Sequence, residues 1–154
     1  MAGALDGIRV IDFGQWLAGP LTVLLLADQG AEVIRVDPPG GPRWQSAANA
    51  TLQRGKRSLE LDLKSAADLA FARALIGTAD VLIENFRPGV MERLGLGWDA
   101  VRRDRLIYCS LPGFAADDPR AAIPAWEGVL AAATGTYASR GTAGGGGSAR
   151  PAAG

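Results

Sequence analysis

The stretch that decides the fold is "GIRVIDFGQWLAGPLTVLLLADQGAEVIRVD", residues 7–37. Its first part, "GIRVIDF" (7–13), is a short apolar run rich in β-branched residues, the mark of a strand buried on both faces. "AGPLTVLLLADQG" (18–30) follows as a helix, with Pro20 near its start and Gly30 placed to stop it. "AEVIRVD" (31–37) is a second buried strand. Strand, helix and strand joined by short connections make a βαβ unit, hence a parallel pair with a right-handed crossover.

The pattern continues beyond this unit. "PPGGPRWQSAANATLQRGKR" (38–57) reads as a long polar loop, of the kind that carries function when it interrupts a compact domain. "SLELDL" (58–63) alternates like a strand. Ser65 is placed to cap a helix through residue 77, with Ala66, Leu69, Ala70, Ala72, Leu75 and Ile76 on its inner side. "ADVLIEN" (79–85) and "RLIYCS" (105–110) read as further buried strands, with two short helical pieces between them. Near-continuous Val/Ile/Leu strands alternating with helices predict an α/β fold, a Rossmann-like parallel sheet with flanking helices. After Tyr137 the segment 138–154, rich in Gly and Ala, has little to bury and is expected to be disordered.

Composition narrows the function classes. The chain has 154 residues and a net charge of zero, which argues against nucleic-acid or membrane-surface partners. No apolar run approaches the ~18 residues of a membrane span. The single Cys109 allows no internal disulfide and fits a reducing, cytoplasmic location. There is no histidine, so His-based acid/base chemistry, Ser-His-Asp triads and His-ligated metals are absent, and no metal site is expected.

In an open parallel sheet, ligands bind where the carboxyl ends of the strands meet helix N-termini. Three distinctive loops fall there: "GQWLAGP", "DPPGGPRW" and "NFRPG". The first has neither G-x-G-x-x-G nor the Walker pattern, which disfavours a conventional NAD site or P-loop. In "NFRPG", Asn85 offers a donor and an acceptor, Phe86 a stacking face and Arg87 a cation for phosphate. Asn, Pro and Gly are equally the residues of an ordinary turn. "QRGKRSLELDLK" adds Arg54, Lys56, Arg57 and Lys64, which also read as a charged rim.

In order and spacing, "GIRVIDFGQWLAGPLTVLLLADQGAEVIRVDPPGG", "RGKRSLELDLKS", "ADVLIENFRPGVMERLGLGWDAV" and "RLIYCSLPGF" resemble the N-terminal part of the class III CoA-transferases. This family includes formyl-CoA transferase, carnitine CoA-transferase and α-methylacyl-CoA racemase. The resemblance implies that residues 1–137 form a truncated N-terminal CoA-binding domain, incomplete relative to the family. It implies an acyl-CoA:carboxylate CoA-transferase, with coenzyme A or acyl-CoA as substrate and no permanently bound cofactor. The partners implied are a carboxylic-acid acceptor and a second subunit, interlocked as a homodimer, or a chain supplying the missing C-terminal part. The alternative is a non-catalytic CoA- or nucleotide-binding remnant.

Carried over residue by residue, Trp16, Leu17 and Ala18 would line the adenosine end. Leu61 and Lys64 would hold adenine and phosphates, and Asn85, Phe86 and Arg93 would continue the site. Pro38 departs from the family, standing where a basic residue often meets a nucleotide phosphate. "AWE" (125–127) falls where the resemblance expects the catalytic aspartate, so Glu127 is the candidate nucleophile. The bland alternative for Glu127 is helix grammar: Pro124 suits a first helical position, and an acid in the first turn complements the dipole.

Overall fold

A computed structural model of the protein describes residues 3–137. The tail 138–154 lies outside the described residues. By their internal contacts the described residues divide into two compact units, one ending at Pro112 and the other beginning at Gly113.

The first unit is a five-stranded sheet in which every pairing is parallel. Its strands are β1 (Arg9–Asp12), β2 (Glu32–Asp37), β3 (Lys56–Glu60), β4 (Val81–Glu84) and β5 (Ile107–Ser110). They lie in the order β3-β2-β1-β4-β5. That order reverses direction between β1 and β4, the topological switch point where doubly wound sheets bind ligands.

Among the described residues six helices complete the element order: α1 (Ala18–Ala27), α2 (Ala47–Leu52), α3 (Ala66–Ile76), α4 (Val90–Arg93), α5 (Trp98–Val101) and α6 (Glu127–Ala133). Period-two alternation splits the strands between two cores. On one face Val10, Val33 and Ile83 pack with Val23 of α1. On the other, Ile11, Val36 and Leu82 pack with Ala72 and Ile76 of α3 and Met91 of α4. The sheet is therefore covered on both faces, which explains its nearly unbroken apolar strands.

Several sequence expectations are corrected. The long loop is interrupted by α2, whose N-cap Ser46 accepts a bond from the Asn49 N–H at 3.2 Å. Strand β3 ends at Glu60, so "LDLK" (61–64) is the connection that follows the strand. Ser65 is the α3 N-cap without a side-chain bond. Asp68 instead accepts from the Asp62 N–H at 2.8 Å and pulls the connection onto the first turn. Ala66 and Ala70 face solvent, because only one narrow stripe of α3 meets the sheet. Strand β5 is an edge rather than a buried strand, and Ile107 is 63% exposed. Pro124 precedes α6, whose N-cap is Trp126, so it does not occupy the first helical position.

The second unit is described by itself. Arg120 holds its own turn together by bonding Asp118 through Nε and Nη2, at 2.9 and 2.7 Å. These bonds hold the Asp118 carboxyl down at about 2. The Arg120 guanidinium also stacks 4.6 Å over the Phe114 ring.

Candidate functional site

The β1–α1 turn is the most constrained element at the strand ends. Gly14 and Gly19 bring their backbones together: a Cβ built on either would lie 2.6–2.7 Å from the Cα of the other. Between them Trp16 adopts φ 62°, a left-handed conformation uncommon for a bulky residue. The turn is fastened from three strands. From β1, Asp12 Oδ1 accepts the Gly14 N–H at 2.7 Å. Just past β4, the Asn85 side chain accepts the Gln15 N–H at 2.7 Å and donates to the Gln15 carbonyl at 2.8 Å. From β3, the Lys56 ammonium donates at 2.7 Å to the carbonyl of Pro20, in the first turn of α1 that follows.

Beside this turn opens a cleft of about 290 Å³ at the carboxyl ends of β1, β2, β3 and β4. Phe13 and Gln15 reach it from the turn after β1, Val36 and Asp37 from β2, and Leu61 and Lys64 from the segment after β3. Phe86, Val90 and Leu94 close its far side, and Arg43 comes from the loop after β2. The walls are largely apolar while Lys64 and Arg43 bring cations, a combination suited to a flat aromatic group carrying anionic substituents. Burial raises the Asp37 carboxyl above its ordinary range, against the opposing charge of Arg35.

Glu84, at the end of β4, accepts the Phe86 N–H at 2.8 Å and so sets the start of the "NFRPG" turn. Burial raises its carboxyl, while bonds from Ser110 and Phe86 oppose the rise. Strand β4 thus fixes two neighbouring groups at once: Asn85 against the β1–α1 turn and Phe86 against the cleft.

Of the residues singled out in the sequence, the fold brings Leu61, Lys64 and Phe86 into this one cleft. Asn85, next to the cleft-lining Phe86, bonds the Gln15 backbone through its amide. Trp16, Leu17 and Ala18 are exposed at the start of α1, next to the cleft-lining Gln15. Arg93 ends α4 and is exposed, outside the lining. Glu127 is the first residue of α6, in the second unit, and is exposed. Sequence reasoning missed Gln15, Arg43 and Val90, and it placed Lys56 on a charged rim. The Lys56 side chain is in fact buried, 3.5 Å from Asp12 Oδ2.

Among the described residues no group of three or more metal-ligating side chains is present. Nor is any helix among them long and apolar enough to cross a membrane.

Residues 5–152 match the family model described as CoA-transferase family III. The chain belongs to that family. Similar proteins include the CoA-transferase/lyase DddD of Marinomonas sp., 50% identical over 89% of this chain and 17% of the relative. They also include the acetyl-CoA:oxalate CoA-transferase of Acetobacter aceti, 39% identical over 90% of this chain and 39% of the relative. Among solved structures, Rv3272 from M. tuberculosis in its orthorhombic form superposes with a TM-score of 0.83. Its identity is 39%, over 92% of this chain and 42% of that one. The chain thus spans less than half the length of these relatives. As a family III member it carries the parallel α/β part of the fold, with the strand-end cleft on it.

Proposed function

We propose that this chain is the N-terminal, CoA-binding portion of an acyl-CoA:carboxylate CoA-transferase. The observation that carries the reading is the strand-end cleft, in which Phe86 offers a stacking face while Lys64 and Arg43 offer cations. CoA presents a purine and several phosphates, and the turn beside the cleft lacks the glycine pattern that a pyrophosphate of NAD would need. On this reading the flat apolar walls take adenine, and Lys64 and Arg43 offset the charge that Pro38 leaves unmet. The exposed Trp16–Ala18 segment and Arg93 extend the contact beyond the cleft. The working protein is a homodimer that acts in the cytoplasm.

The chemistry proposed is transfer through an enzyme carboxylate. The carboxylate attacks the acyl-CoA carbonyl and expels CoA thiolate, leaving a mixed anhydride. The thiolate then attacks the enzyme's side of the anhydride, releasing the donor acid and forming an enzyme–CoA thioester. An acceptor carboxylate repeats the two steps in reverse and leaves as its CoA thioester, so the enzyme carboxylate is regenerated. An unperturbed carboxylate is ionised near pH 7 and needs no histidine to activate it.

Glu127 is this chain's candidate for that carboxylate, on the strength of the resemblance. Its exposed place at the head of α6 is equally explained by the helix dipole. In the second reading these residues bind CoA and the nucleophile lies in the remainder of a longer protein. Glu127→Gln in the longer protein separates the two, because the amide keeps the shape and loses the anion. Lost turnover with unchanged CoA affinity, together with hydroxylamine-sensitive labelling of Glu127, assigns it as the nucleophile. Near-normal turnover returns it to helix grammar and moves the nucleophile elsewhere.

Calorimetric titration tests the binding itself. CoA is expected to bind more tightly than NAD or ATP, and Phe86→Ala to weaken it by about 1–3 kcal/mol, the usual worth of a base–aromatic stack. Tighter binding of NAD would overturn the assignment.

A further inference from the structure

Lys56 and Asp12 are buried charged residues that the cleft does not contain and that the chemistry above does not use. Lys56 opens β3, and the Leu61–Lys64 wall of the cleft follows the end of that strand. Its ammonium reaches across the sheet to the Pro20 carbonyl, in the first turn of α1 just beyond the β1–α1 turn, and to Asp12 Oδ2. Asp12 Oδ1 holds the N-terminal end of the same turn through the Gly14 N–H. The pair therefore holds this segment at Gly14 and again at Pro20, while Asn85, just past β4, holds Gln15.

We propose that Lys56, acting with Asp12, is a positioning residue for CoA: it locks the β1–α1 turn to β3 and so fixes one wall of the cleft against the other. The walls in question are Phe13 and Gln15 on one side and Leu61 and Lys64 on the other. The proposal rests on the CoA reading for its ligand, and on the geometry alone for the lock. Arg35 and Asp37 share the same buried environment but bond each other at 2.8 Å on β2, and neither is bonded to the turn. The short reach of Asp12 suits it to Gly14, and only the long Lys56 stem spans from β3 to Pro20. Burial lowers the ammonium to about 8, and the nearby Asp12 opposes that fall.

The experiment uses the whole chain and the double variant Asp12→Asn/Lys56→Met. It removes both charges together and leaves an amide oxygen for Gly14. Calorimetry should show CoA affinity reduced about tenfold, the scale of one charge-assisted bond. Amide exchange without ligand should quicken across residues 14–19 and leave the β4 amides unchanged. A double variant that melts cooperatively, binds CoA within about twofold of the unaltered protein and keeps its exchange pattern overturns the proposal. If the unaltered protein does not bind CoA, the CoA reading fails. The ligand-free exchange then decides the lock separately.

A second measurement needs no variant. CoA added to the unaltered protein should protect the amides of 14–19 and 61–64 together. Protection of only one of these segments contradicts coupled walls, whether or not the double variant folds.

Discussion

Lys56→Met is expected to destabilise the protein by about 3 kcal/mol near neutral pH, the low end of what breaking a buried ion pair costs. The reason is the company it leaves behind. Asp12 has no exposed surface, and its Oδ2 has no hydrogen-bond partner other than the 3.5 Å approach of the Lys56 ammonium. Removing the cation strands that carboxylate in a desolvated site. Burial already raises the Asp12 carboxyl above its ordinary value, and Lys56 is foremost among the groups that restrain the rise.

In the variant the restraint is gone, so Asp12 takes up a proton more readily in the folded than in the unfolded chain. A carboxyl whose folded pKa is raised gives its stability at low pH and loses it as pH rises through that pKa. The deficit of Lys56→Met should therefore be largest near neutrality and shrink as pH falls and the raised Asp12 carboxyl is neutralised in the fold. Lys56 makes the opposite contribution at alkaline pH. Its folded pKa of about 8 lies below the 10.5 of the free side chain. Between those values the unfolded chain holds more protons, so stability rises with pH there, and the variant lacks this limb. Asp12→Asn/Lys56→Met should recover most of the loss, since a neutral pair leaves no stranded charge. Urea melts of the three proteins over pH check all three statements, and an equal deficit in single and double variants would contradict them.

The sheet was legible because its strands are apolar runs with turn residues at their ends. "GIRVIDF" and "AEVIRVD" could hardly be anything but buried parallel strands. What misled was the spacing rule applied at edges. "RLIYCS" carries the same composition as the central strands, yet β5 pairs on one side only, and Ile107 is left facing out. "SLELDL" alternates well enough to look like a strand, but the ladder with β2 runs from Lys56 to Glu60 and the rest turns away.

The site divided in a similar manner. Phe86, Leu61 and Lys64 were readable because they fall at strand ends beside turn signals. Gln15 was hidden next to a conspicuous tryptophan. Lys56 was hidden for a physical reason: a lysine among "QRGKR" belongs by base rate to a solvated rim, and burial here depends on Asp12 and Pro20, far away in sequence. No local pattern reports such a partnership. The Asn85 amide bonds the Gln15 backbone, a partnership that sequence does not report, because a free amide and one locked to a backbone look alike there.

The same turn supplies the second large effect, at Gly19. In a helix, Gly→Ala ordinarily stabilises by about 1 kcal/mol, because alanine loses less backbone freedom on folding. Gly19 is the second residue of α1 and has no left-handed conformation to protect, so propensity alone predicts a gain. Packing reverses the sign. A Cβ at this position would stand 2.6 Å from the Cα of Gly14, well inside van der Waals contact, and the obstructing atom is backbone. No rotamer change relieves it. Gly14 cannot retreat freely either, since its N–H is held by Asp12 and the next residue by Asn85. Overpacking of this kind costs about 1–3 kcal/mol, and the lack of a movable side chain puts Gly19→Ala at the upper end. The net expectation is a loss of about 2 kcal/mol, with the melting temperature moving down rather than up. Displacing the turn also moves Gln15 at the cleft, so CoA affinity should fall in the same variant at temperatures where it is fully folded. If Gly19→Ala proves as stable as the unaltered protein and binds CoA equally well, the close approach of the two glycines is not a constraint on this turn.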